Sequence, residues 1–353
     1  MTHEFFPVPR WRRLLRPRWL LTFLLLAICA WPCWRAFSYL AAVSEVKANA
    51  TWTGPGAFHF LFRIVFRAAH PNAPTGPDFR GLVLYKGRSL KSIGHLLPRL
   101  RPTDLGAGDS VAVDLDALKG LTSLRNINLS CPALQNVDGL KGLTGLRMLD
   151  LFTCRSLQNV DALSGLTGLE TLQIDGCPIL RNVDALTGLT GLQNLTLRNC
   201  SALQNVNGIR KLSRLRNLFI CGCAALQRVD DLKELSALEW LDLSRNPTLQ
   251  NLDGLKGLSR LPRLDLRNCT ALQNVDALKG LAGLQTIDVS GCTALDNVDG
   301  LKSLTQLQSI RLSGCTKLSQ STLRELRAAL PKTVFFISQP YINHEKDGSV
   351  PEK

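Results

Sequence analysis

The chain has 353 residues, of which 42 are basic and 28 acidic, giving a formal charge of +14. With 45% apolar and 20% charged residues it can bury a substantial core, which excludes a wholly disordered protein. Five scattered histidines (His3, His59, His70, His95 and His344) leave little material for a zinc cluster or a histidine-based active site.

The positive charge is unevenly placed. Residues 1–120 hold 16 basic and 7 acidic side chains, whereas residues 121–353 hold 26 and 21. A nucleic-acid binder concentrates lysine and arginine along its ordered surface, so this distribution argues against one.

At the amino terminus Arg10, Arg12, Arg13, Arg16 and Arg18 form a basic segment, 1–18, before an uncharged run from Trp19 to Trp34. That run spans about 24 Å as a helix. If Arg35 snorkels, the apolar stretch continues to Val43, and residues 19–43 reach the length of a transmembrane anchor. The arginine flank predicts a cytoplasmic amino terminus and an extracytoplasmic remainder. A cleaved signal peptide is the competing reading, with Ala48-Asn49-Ala50 in the small-x-small form. That site lies well past the apolar run, which favours retention.

Residues 44–96 read as a juxtamembrane segment and an amino-terminal cap. Within them Phe58, Phe62, Val65 and Phe66 share a helical face opposite His59, Arg63 and Arg67. This face suits the end of a larger core better than a membrane surface. Gly81 to Tyr85 reads as a capping strand.

From Leu121 the chain repeats. Units begin at Leu121, Leu143, Leu166, Leu189, Leu212, Leu235, Leu258, Leu281 and Leu304, 23 residues apart after a first step of 22. Leucine or a close relative fills unit positions 1, 4, 7, 9, 15, 18 and 21. Positions 7 and 9 alternate inward along a short strand, and positions 6 and 8 point out. Apolar residues every third position, as in Leu157, Val160 and Leu163, predict a 3₁₀ turn on the opposite flank. Asp161, Asp184, Asp230, Asp253, Asp276 and Asp299 recur beside that turn, where a carboxylate is expected to accept orphan backbone donors. No unit can bury its leucines alone, so the units stack into a solenoid over residues 97–338. A degenerate unit occupies 97–120 and a carboxyl-terminal cap 320–338. There Thr322 to Glu325 fits a capping box, a helix runs to Leu330, and Val334 to Ile337 closes the sheet. Residues 339–353 read as a disordered tail. The fold class expected is therefore α/β: a curved parallel sheet backed by short 3₁₀ or α turns, with an amino-terminal transmembrane helix.

Cys154, Cys177, Cys200, Cys223, Cys269, Cys292 and Cys315 occupy position 12, Cys131 takes the same place in the shorter first unit, and Asn246 replaces the cysteine in one unit. Asparagine can substitute for a buried hydrogen-bonding side chain but not for a thiolate ligand or a disulfide partner. The pattern predicts a ladder of buried thiols bonded to neighbouring units, with bridging between adjacent rungs still open. It predicts no metal site and no cofactor. Cys221, near a strand end, is expected to be accessible.

On the outward strand positions, Phe219 and Trp240 fall on adjacent strands with Arg216 and Arg263 nearby. Exposed aromatics beside arginine make an interface hot spot. Asp242, Asp265 and Asp288 would form an acidic stripe favouring a basic partner, and Met148 and Asp150 extend the same face more weakly. Outward aspartates that only solubilise the sheet are the plainer alternative.

The spacing L-x-x-L-x-L-x-x-C resembles the leucine-rich repeat superfamily. The short convex turn, as in NVDGLKGLTGL, is similar to bacterial internalin-type repeats, and the cysteine at the loop resembles the cysteine-containing subclass. The resemblance implies a non-enzymatic recognition scaffold with a protein or peptide ligand, here tethered by residues 19–43. Rival readings are a structural or adhesive spacer that recognises glycan, and a soluble effector. An enzyme would need a phosphate loop, a nucleophile arrangement or a metal motif, none of which the sequence shows.

Overall fold

The computed structural model describes residues 81–84, 97–108 and 114–337. The amino-terminal segments, the Phe58–Arg67 face and the tail after 337 lie outside these residues. Among the described residues no helix is long and apolar enough to cross a membrane.

Twelve parallel strands form one sheet in chain order. They are β1 (Gly81–Leu84), β2 (Asp104–Gly108), β3 (Asn126–Ser130), β4 (Met148–Phe152), β5 (Thr171–Asp175) and β6 (Asn194–Arg198). The series continues with β7 (Asn217–Cys221), β8 (Trp240–Asp242), β9 (Arg263–Asp265), β10 (Thr286–Asp288), β11 (Ser309–Arg311) and β12 (Val334–Phe336). A one-turn helix, α1 (Leu97–Leu100), precedes β2. The register follows the repeat: Leu172 pairs with Leu195, and Leu195 with Leu218. Inward leucines therefore stack on one another in files, and Leu172, Leu195 and Leu218 are all fully buried. Successive units bury a shared core that no single unit could close.

The sheet changes width along its length. Strands β2 to β7 have five residues each, and β8 to β11 have three. The shortening has a local cause in β8, β9 and β10. Asp242, Asp265 and Asp288 each accept, through Oδ1, the backbone N–H two residues on, at 2.9, 3.0 and 2.9 Å. Such an Asx turn diverts the backbone from the ladder.

On the convex side each unit before the one that begins at Leu304 makes a 3₁₀ turn. The recurring aspartates were expected to cap these turns, but they form the first residue of each instead, as in Asp161–Gly165 and Asp184–Gly188. Except at Asp230, where Arg228 stands instead, the cap is the asparagine two residues earlier. Oδ1 of Asn159, Asn182, Asn274 and Asn297 accepts the N–H of Asp161, Asp184, Asp276 and Asp299. The orphan donor at the turn start is the aspartate's own amide, which its side chain cannot reach. The freed carboxylates of Asp253 and Asp299 pair with Lys256 and Lys302 instead.

From the turn at 184–188 onward, the residue after the leading Asp or Asn alternates: Ala185, Gly208, Asp231, Gly254, Ala277, Gly300. The glycine-bearing turns sit close on the turn before them. A Cβ on Gly208, Gly254 or Gly300 would lie 1.8, 1.8 or 2.1 Å from the carbonyl oxygen of Val183, Val229 or Val275. The convex turns therefore associate in pairs.

The carboxyl-terminal cap helix, α2 (Gln320–Ala329), starts earlier than a capping box at Thr322 implies. Its N-cap is Ser319, whose Oγ accepts the Thr322 N–H at 3.0 Å. Glu325 instead reaches back to Lys302 at 2.7 Å. Leu323, Leu326 and Leu330 cover the last row of leucines.

Candidate functional site

The position-12 side chains form an inner ladder. Sγ of Cys200, Cys223, Cys269, Cys292 and Cys315 donates to the carbonyl of Ile174, Leu197, Leu243, Leu266 and Val289, each 26 residues earlier. Cys131 and Cys154 make the same contact to Ala107 and Leu129. From Cys154 onward the acceptor is the inward residue at position 9 of the previous unit. Sγ of Cys177 lies 3.9 Å from the Asp175 carbonyl of its own unit. All these thiols are buried, and no disulfide joins adjacent rungs among the described residues. Asn246 makes a stronger rung. Its Nδ2 donates to Ile220 O at 2.7 Å and Leu243 O at 2.8 Å, and its Oδ1 accepts the Cys223 N–H at 2.8 Å. Burial pushes the Cys269 thiol up to about 12 and the Cys315 thiol up to about 11. Such thiols are neutral and poor nucleophiles at physiological pH.

Cys221 was expected to be accessible, but it is buried. The last residue of β7 turns its sulfur onto the Asp242 carbonyl of the next unit at 3.9 Å. Burial and then the nearby Asp242 charge push this thiol up to about 12.

On the concave face the structure brings Phe219 and Trp240 together. Their ring centroids are 5.2 Å apart with planes at 64°, an edge-to-face pair. Trp240 remains 41% exposed. Register explains the contact, because Trp240 pairs with Asn217 and Phe219 with Asp242, which sets the two rings on a diagonal. The Arg263 guanidinium lies 5.9 Å from the Trp240 ring centroid, and that of Arg198 lies 5.5 Å from the Phe219 ring centroid. Arg216 belongs to a different set, since it pairs with Glu239 at 2.6 Å on the sheet margin. Sequence reasoning missed Arg198. Its signal was that β6 runs one outward position further than the pattern of positions 6 and 8.

Asp242, Asp265 and Asp288 are in-register neighbours on β8, β9 and β10. They do not form the open acidic stripe expected. Asp242 is 8% exposed, and its carboxylate accepts the Ser244 amide. Arg267 lies 2.7 Å from Asp265 and 3.8 Å from Asp288, so both carboxylates are paired with a guanidinium. Asp150 also departs from expectation, being 5% exposed rather than solvent-facing. Its Oδ1 has no hydrogen-bond partner among the described residues, and desolvation pushes its carboxyl above the usual range. Met148 is half-buried on β4, three strands from the aromatic pair.

Beside the aromatic pair, at the carboxyl ends of β5 to β8, lies a cavity of about 330 Å³. Arg198, Arg245 and Arg267 line it together with Asp175, Asn199 and Asp242. Among the described residues no group of histidine, cysteine and carboxylate side chains has the arrangement of a metal site.

The model of the BspA-type leucine-rich repeat region matches residues 117–239 and 245–340, in six copies. The chain belongs to the BspA-type leucine-rich repeat family. A solved internalin structure shares the fold of this BspA-type chain. An internalin, inlF, from Listeria monocytogenes aligns at 21% identity over 80% of this chain and 95% of its own, with a TM-score of 0.54. Internalin C2 (inlC2) from the same organism aligns at 22% identity over 64% and 85%, with a TM-score of 0.41. The leucine-rich repeat domain of the type III effector XopL aligns at 21% identity over 86% and 89%, with a TM-score of 0.44. No curated protein matches the BspA-type chain.

Proposed function

We propose that this chain is a non-enzymatic, membrane-tethered recognition protein whose concave sheet docks another protein around Phe219 and Trp240. The observation that carries this reading is the aromatic pair itself. A 41%-exposed tryptophan packed edge-on to phenylalanine, with a guanidinium over each ring, combines the residue types that dominate interface energetics. The pair is held by in-register strands, so it is pre-ordered and loses little freedom on binding.

Replacing Phe219 and Trp240 together by alanine is expected to abolish crosslinked capture of the partner from intact cells. Circular dichroism and melting should stay unchanged, because neither ring belongs to the leucine core. Capture that survives the double substitution removes the pair from the site.

Tethering is supported by the arginine-flanked apolar run of residues 19–43. Deleting residues 1–50 should move the protein from the membrane pellet to the soluble fraction. Continued sedimentation with membranes would overturn the anchor.

A further inference from the structure

The acidic side chains near the aromatic pair are committed within the protein. Asp175 accepts from Asn199 Nδ2 at 2.7 Å, and Asp242 from the Ser244 amide. Asp265 accepts two bonds from Arg267 Nε, and Asp288 accepts the Ser290 amide. Their side chains are also withdrawn, with Asp265 17% and Asp288 16% exposed. A cationic partner would have to displace Arg267 and backbone amides to reach them.

The arginines are in the opposite condition. Arg198, Arg245 and Arg263 are exposed and have no carboxylate partner among the described residues. Arg198 and Arg263 spend only their faces, on Phe219 and Trp240, so their edge N–H donors remain available. Arg198 and Arg245 also line the 330 Å³ cavity that adjoins the rings. Formal charge here is nearly balanced, but the accessible groups are guanidinium donors and the withdrawn ones are carboxylates.

We propose that the partner docks through an acidic segment, with an apolar or aromatic side chain on Phe219 and Trp240 and a carboxylate in the cavity lined by Arg198 and Arg245. This rests on the reading of the aromatic pair as the docking centre. It reverses the basic partner that the row of aspartates suggests in the sequence. Guanidinium matches carboxylate geometry with two parallel hydrogen bonds, and rings beside it exclude water from them.

The test selects short random peptides displayed on phage against the immobilised full-length chain. Binding of the selected peptides is then measured to three proteins: wild type, Phe219→Ala/Trp240→Ala and Arg198→Gln/Arg245→Asn. Asparagine suits position 245, where φ is +59°. The expected result is enrichment of Asp and Glu around an aromatic or aliphatic residue, with binding about tenfold or more weaker to each variant and weakening with salt. Basic or neutral peptides that are lost only on the aromatic variant overturn the acidic chemistry and leave the docking centre standing. Peptides indifferent to the aromatic variant overturn the centre and this inference with it. Acidic peptides unaffected by the arginine variant, failure to enrich acidic peptides, or equal competition by a heparin fragment would each also reject the proposal.

Discussion

Gly254→Ala is the sharpest perturbation this fold offers. A sequence reader would pass it as harmless, because Ala162, Ala185 and Ala277 occupy the equivalent place in other units. Here the new Cβ would lie 1.8 Å from Val229 O, 2.5 Å from Val229 C and 2.8 Å from the Asp230 Cα. All three are backbone atoms of the preceding turn, so no flexible side chain can move aside. Restoring ordinary contact requires the paired turns to part by about 1.5 Å, an overpacking that costs roughly 1–3 kcal/mol. The loss of unfolded-chain entropy returns about 0.4–1 kcal/mol of that. The net expectation is destabilisation by about 1–2 kcal/mol. Gly280→Ala supplies the internal control, since nothing lies within 4 Å of its added Cβ and its φ is not positive. It should be neutral or slightly stabilising. Urea titration of both variants, followed by far-ultraviolet circular dichroism, makes the comparison. Equal midpoints for the two substitutions would refute the tight pairing of the convex turns.

Three further outcomes follow from the core and the sheet. Asn246→Ala strands a buried amide and two carbonyls, so it should cost about 3 kcal/mol or more by chemical denaturation, while Cys269→Asn should be mild. Leu195→Ala, in a fully buried file, is expected to cost about 2–5 kcal/mol in the same assay. Asp150→Asn should raise the melting temperature at neutral pH. Burial raises the folded-state pKa of Asp150 above its unfolded value of 3.8, so the folded chain holds the extra proton and wild-type stability falls as pH rises through the raised value. The advantage of the asparagine variant should shrink as pH is lowered toward 3.8, and an advantage independent of pH would discount the buried charge.

The solenoid was legible because its cause is periodic. An inward residue such as Leu195 is dictated by spacing alone, and the stacking of identical units fixes its neighbours. The Asn-to-Asp cap was present in every NVD stretch, but the carboxylate was the more conspicuous capping group, and only the backbone path shows which amide is orphaned. Asp242-Leu-Ser244, Asp265-Leu-Arg267 and Asp288-Val-Ser290 likewise carried an Asx-turn signal that reading strand positions alone obscured. Cys221 misled for a related reason, because strand alternation stops applying where β7 ends. The pairing of Phe219 with Trp240 followed from position, whereas the cavity beside it depends on how far each strand runs. The paired convex turns could not be read at all, since glycine in a turn does not say which backbone approaches it.

The change from five-residue to three-residue strands falls between β7 and β8, which is where Phe219 and Trp240 meet. A surface built from identical coils would offer a ligand many equivalent landing places, shifted from one another by a single coil. The narrowing removes that degeneracy. The change of strand length occurs once between β2 and β11, so the coils on either side of the aromatic pair are not interchangeable.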